Sequence, residues 1–314
     1  MMQKIFKQLP VLELVLLACA LPVAAQVKNP TRHASPLGYS YAKEESSTDT
    51  SVLHVKEQEL RAALETQPQS ASLLYGLALV QRQENQPRAS LVTYTRAAKL
   101  RNPTPLELRS VALNYVLLND YDDAIHWLEI AASVAPSDPD ILYALGRCYY
   151  TRSRYVDAEK MYKRVLAIDA HHIKAEENLG LVYDALDRPP LAEAALRQAA
   201  NWANPQGRDE WPFLDLGSFL LDHDRAKEAI EPLQSAERIQ PGAYTPHERL
   251  GRAMLQAGQS TAGINELEQA EKIKPRDPKI HFELGRALRQ AGMLEQAKKE
   301  MELSQKLYST HSEE

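Results

Sequence analysis

His172 and Glu176, in the stretch HHIKAEE, stand four residues apart, the spacing that sets an imidazole and a carboxylate on one helical face within reach of a shared metal ion. Zinc takes four ligands as a rule, and two more of suitable type do not stand nearby, so the pair reads as solvated or as a helix cap. The segment GQSTAG, Gly258 to Gly263, resembles the Gly-x-Ser-x-Gly turn that presents a nucleophilic serine. Its second glycine falls one residue late, and it lies between helices rather than after a strand. It reads as a turn in which Ser260 or Thr261 caps the next helix. Cys148 falls on an interior helical position and reads as a small buried core residue, not a reactive thiol. The chain holds no Gly-rich phosphate loop, no His-Glu-x-x-His and no Cys-x-x-Cys. No catalytic, cofactor-binding or metal-binding residue is expected.

Composition agrees with a folded helical protein. Of 314 residues, 44% are hydrophobic and 25% charged, the balance of a folded chain, and only 12 are glycine. A net charge of −5 supplies no bulk attraction for nucleic acid or anionic lipid. No nucleic-acid partner is expected.

Residues 1–25 have the order of a secretory signal peptide. Lys4 and Lys7 precede an apolar run from Leu14 to Ala25, and Val23-Ala24-Ala25 forms the cleavage site. The run is too short to span a bilayer, which needs about 20 residues. This predicts an exported protein, periplasmic or secreted. Within the same segment LLAC, Leu16 to Cys19, resembles a lipobox, so lipidation at Cys19 is the alternative and the one expected route to a membrane. Residues 26–50 are polar and read as a flexible linker.

The elements that must position any site repeat themselves. HERLGRAMLQAGQ (His247 to Gln259) and HFELGRALRQAGM (His281 to Met293) are identical at eight of thirteen positions, at an offset of 34 residues. The Leu-Gly pair within them recurs as Leu216-Gly217, Leu179-Gly180 and Leu145-Gly146, then as Val111-Ala112 and Leu77-Ala78. One interval of 37 residues, around NPQGRDE, is the single break in the beat. Prolines follow it at Pro68, Pro136, Pro241 and Pro275, and small residues at Ala97, Ala131, Val165, Ala199, Ala236, Ala270 and Ser304. His247 and His281 share a position and read as packing residues with a polar edge.

In these positions the chain resembles the tetratricopeptide repeat family, in which a Leu-Gly/Ala pair in one helix faces a small and a large residue in the next. The unit LGRCYYTRSRYVDAEKMYKRVLAID supplies Leu145, Gly146, Tyr149, Tyr155, Ala158, Tyr162 and Val165. The resemblance covers residues 71–311 as seven units, 71–104, 105–138, 139–172, 173–209, 210–243, 244–277 and 278–311. It implies an all-α fold, an α-solenoid or superhelix of stacked antiparallel hairpins. Gly146 and Ala158 would let paired helices approach, with the tyrosines filling the space left. Gly258 and Gly292 would end helices in left-handed turns. Gln81 and Ser90 depart from the pattern in the first unit, and Pro232 is expected to kink its helix. Residues 51–70 read as a capping half-repeat carrying Leu53, Leu60 and Ala63, and Ser304, Gln305 and Lys306 as the polar outer side of the last unit.

The resemblance also implies that first helices line an inner groove. On it would stand Tyr143, Arg147, Tyr150, Asn178, Trp211, Asp215, Arg252, Phe282, Arg286 and Arg289. Arginine grips carboxylates with two parallel hydrogen bonds, and aromatic rings anchor partners in dry pockets. The groove would hold a partner peptide or helix of partly acidic character, alternating in charge near Asp184, Asp215 and Asp222. Of the family's chaperone-binding carboxylate clamp only Asn178 has a counterpart here. The expected role is an adaptor or scaffold in a bacterial envelope complex. Alternatives are a self-associating assembly module, an outer-membrane-type lipoprotein anchored through Cys19, and an accessory to an enzyme.

Overall fold

The computed structural model describes residues 50–311, so the expected signal peptide, the Cys19 lipobox and nearly all of the linker lie outside the described residues. Fifteen α-helices and no strand occur among the described residues. They fall into two compact units that meet in sequence at Asp169 and Ala170.

The first unit opens with a single helix, α1 (Thr50–Thr66), and continues as three hairpins. These are α2 (Ala71–Gln83) with α3 (Pro87–Ala98), α4 (Pro105–Leu117) with α5 (Tyr121–Val134), and α6 (Pro139–Thr151) with α7 (Tyr155–Ile168). The second unit contains four. They are α8 (Ile173–Ala185) with α9 (Pro189–Trp202), α10 (Trp211–Asp222) with α11 (Ala226–Ile239), α12 (Tyr244–Gln256) with α13 (Ser260–Ile273), and α14 (Pro278–Gln290) with α15 (Leu294–His311). No described helix is long and apolar enough to cross a membrane.

Local sequence starts and stops these helices. Pro105 and Pro139 occupy first-turn positions, where a missing N–H costs nothing, and Thr104 and Asp138 cap the free N–H groups before them. All seven hairpin turns share one stop. A residue in the left-handed region, at Asn85, Asn119, Ser153, Asp187, Asp224, Gly258 and Gly292, follows each first helix. In each turn the next N–H reaches back to the carbonyl five residues earlier, as from Arg154 to Tyr149 at 2.8 Å and from Gln259 to Met254 at 2.8 Å. Only two of the seven are glycine. The other five were hidden from a search for glycine alone.

Within each hairpin the helices pack on each other, and each second helix packs on the first helix of the following hairpin in its unit. First helices also touch first helices, α2 with α4 and α4 with α6 in one unit, α8 with α10 and α10 with α12 in the other. Second helices do not pair to a like degree. The first helices therefore line the tighter, inner side of each stack.

The helix that holds Pro232 runs from Ala226 to Ile239. Two expectations change. Neither Ser260 nor Thr261 caps α13; Gln259 holds the cap position with no side-chain bond. Ser304 is buried, and its hydroxyl donates to the Pro278 carbonyl at 2.7 Å, so it is a core contact and not part of a polar outer side. Gln81 and Ser90 each find a partner for their polar groups. Ser90 donates to the Ala78 carbonyl at 2.6 Å and Thr93 to the Gln81 side chain at 2.7 Å, which satisfies the groups inside the first hairpin.

Candidate functional site

The expected site residues all lie on first helices, and the structure separates them by burial. Tyr143, Arg147 and Tyr150 belong to the first unit. Tyr143 is buried with its ring 5.9 Å from that of Tyr162, and Arg147 is only 7% exposed, its guanidinium 6.0 Å from the Tyr143 ring. Tyr150 packs edge-on against Tyr155 at 5.5 Å. These three tie a hairpin together. Farther along this inner face Arg109 of α4 pairs with Asp140 of α6 at 3.0 Å, joining successive first helices.

In the second unit Asn178 is buried and donates to the Lys174 carbonyl at 2.7 Å. Trp211 is half-buried at the start of α10. Asp215 is buried beside Glu177, and burial raises both carboxyls, Asp215 to about 6 and Glu177 well above the usual range. Two adjacent carboxyls in a dry place resist ionising together.

Charge on α12 and α14 is largely spent internally. Glu248 is 2% exposed, and its carboxylate meets Lys279 at 3.0 Å, Arg249 at 3.4 Å and Arg252 at 3.5 Å. Arg252 is thus committed to its own helix. Arg286 and Arg289 are not: both are exposed, and among the described residues no carboxylate pairs with either. Phe282 is 45% exposed with the Arg286 guanidinium 5.9 Å from its ring. Phe282, Arg286 and Arg289 follow an i, i+4, i+7 stripe on one face of α14.

The three equivalent arginines, Arg147, Arg252 and Arg286, therefore differ in availability although the repeat gives them one position. The signal for the Glu177–Asp215 pair is a charged residue in a row that holds Tyr75, Tyr143 and Phe282 in other repeats. Among the residues singled out for chemistry, His172 caps α8 by accepting from the Ala175 N–H at 3.1 Å. Cys148 is buried, and burial pushes its thiol up to about 12, which leaves it as an unreactive core group. His247 sits between the Glu266 carboxylate at 2.8 Å and the Pro241 carbonyl at 2.9 Å.

The sequence model of the tetratricopeptide repeat family matches residues 112–173 and 248–302. Human tetratricopeptide repeat protein 7B is 29% identical over 97 residues, 31% of this chain. That match spans 11% of the curated relative's own length. A crystal structure of a tetratricopeptide repeat protein from Parabacteroides merdae is similar over 85% of this chain and 99% of its own, with a TM-score of 0.60 and 16% identity. PilF of Pseudomonas aeruginosa is similar over 65% of this chain and 92% of its own, with a TM-score of 0.57 and 16% identity. Helices, turns and family match agree: the chain carries tetratricopeptide repeats at residues 112–173 and 248–302, within a fold like that of tetratricopeptide repeat proteins.

Proposed function

We propose that this protein is a non-catalytic adaptor that holds a segment of another protein against the first-helix face of its second unit. The repeat fold serves protein–protein interaction in general. The observation that carries the reading here is the α14 stripe, an exposed Phe282 beside two exposed arginines that meet no carboxylate among the described residues. An aromatic ring supplies buried area at low entropic cost, and free guanidinium groups recognise carboxylates. The partner segment is accordingly apolar at one position and acidic near it. Preformed helices limit the ordering cost of binding.

We place the adaptor in a bacterial envelope assembly, on the strength of the charged, apolar and small-residue order of residues 1–25. Mass spectrometry of the mature protein tests this: Gln26 as first residue supports export with cleavage, Cys19 supports lipidation, and an uncut chain overturns both. For binding, a photo-crosslinking residue at position 282 in the native host is expected to give a discrete adduct. Arg286→Glu with Arg289→Glu removes that adduct and leaves thermal unfolding unchanged. An adduct untouched by the double change, or none at all, overturns the reading.

A second reading, self-association through the last hairpin, rests on the exposure of Leu294 (64%), Tyr308 (55%) and Met293 (44%). Light scattering that grows with concentration favours it, and a strict monomer sinks it.

A further inference from the structure

Glu271, His281 and Glu300 come from three different helices, α13, α14 and α15, and offer one carboxylate oxygen or ring nitrogen each within 4.8 Å of one another. We propose that they bind one divalent first-row transition cation, with zinc as the probe. The arrangement of His281 supports this. Its Nε2 lies 3.0 Å from the Pro275 carbonyl oxygen, which can only accept, so Nε2 carries the hydrogen. Nδ1 is left facing the Glu300 carboxylate at 2.7 Å, with Glu271 close by. A ring nitrogen aimed at two carboxylates needs a cation there, a proton or a metal. Metal-bound histidines have the same outer contact, the second N–H donated to a backbone carbonyl.

Charge points the same way. Two carboxylates around one imidazole stay negative even when the ring is protonated. Among the described residues no lysine or arginine forms an ion pair with Glu271 or Glu300, and Lys272 acts on Glu271 only from a distance. A dication neutralises the pair. On binding, the Nδ1 proton leaves to solvent, the nitrogen-to-oxygen separation opens to about 3.3 Å around a tetrahedral ion, and water takes the fourth place. The other such group, His54, Glu57 and Glu84, lacks this demand because Arg61 already sits 2.7 Å from Glu57.

The test is calorimetric titration of the tag-free, chelator-treated full chain with zinc chloride, with thermal unfolding in parallel. One equivalent is expected to bind and to raise the Tm. Glu271→Gln keeps the His281–Glu300 hydrogen bond, so it is expected to fold as wild type without metal and to weaken zinc roughly tenfold or more. Glu237→Gln, at the matching position one repeat earlier, leaves binding unchanged. Absent binding, or binding equal in wild type and Glu271→Gln, overturns the site. Neither result touches the adaptor reading, because no partner protein enters the experiment.

Discussion

Leu233 of α11 lies against the backbone of Gly217 in α10 so closely that a Cβ added to the glycine would stand 2.5 Å from Leu233 Cγ. The same relation, sixteen residues apart, joins Gly146 to Tyr162 and Gly180 to Leu196. Gly217→Ala is therefore expected to cost about 1–3 kcal/mol by overpacking, although alanine is the better helix former. Gly76→Ala, whose Cβ would meet Leu60 at an ordinary 3.5 Å, is expected to be neutral or to stabilise by up to about 1 kcal/mol. Urea unfolding of the two variants gives the comparison. Equal effects would mean that helix propensity, not contact, sets the glycine positions.

Ser153 turns the chain between α6 and α7 at φ 58°, a conformation that crowds its Cβ against the following carbonyl. Ser153→Gly is expected to stabilise by about 0.5–1 kcal/mol, after allowance for the larger entropy of an unfolded glycine. Gly258→Ala, at φ 83°, should destabilise by about 1 kcal/mol. A shift in denaturation midpoint opposite in sign to either would show that the turn relaxes.

His247 gives the second unit a pH response. Burial opposes its charge, but the Glu266 carboxylate and the Pro241 carbonyl outweigh burial and raise its pKa above the usual 6.5. A raised histidine contributes stability that is complete below the unfolded value of about 6.5 and is lost as pH rises through the folded value. The Tm gap between wild type and His247→Gln should accordingly narrow from pH 6 to pH 9. A gap that does not move with pH would mean the ring is held neutral.

Asp215 has the opposite kind of neighbour. Burial lifts it to about 6 and outweighs the hydrogen bond with Glu177, which lowers it, so the folded state holds a proton that the unfolded state has released above about pH 4. Stability falls as pH rises through that window. Asp215→Asn removes the penalty and is expected to stabilise by about 1–2 kcal/mol at pH 7.5, with little gain at pH 4. Chemical denaturation at the two pH values decides; a loss at both would show that the carboxylate is needed for its attraction to Arg249.

The 34-residue beat, the helix pairs and the close-packed Leu-Gly positions were legible in the sequence, because each follows from local propensity and from a contact repeated in every hairpin. The turn chemistry was half legible: Gly258 and Gly292 announce a left-handed residue, while Asn85, Ser153 and Asp187 do the same work with side chains common elsewhere. Which first-helix residue stands exposed was not legible. Glu248 and Phe282 occupy the same repeat position, yet one is 2% exposed and the other 45%. Lys279 of the following hairpin covers Glu248, and no counterpart follows Phe282 among the described residues. Periodicity assigns a residue to a face of its own helix; burial depends on the neighbouring hairpin, and only the tertiary structure supplies that neighbour.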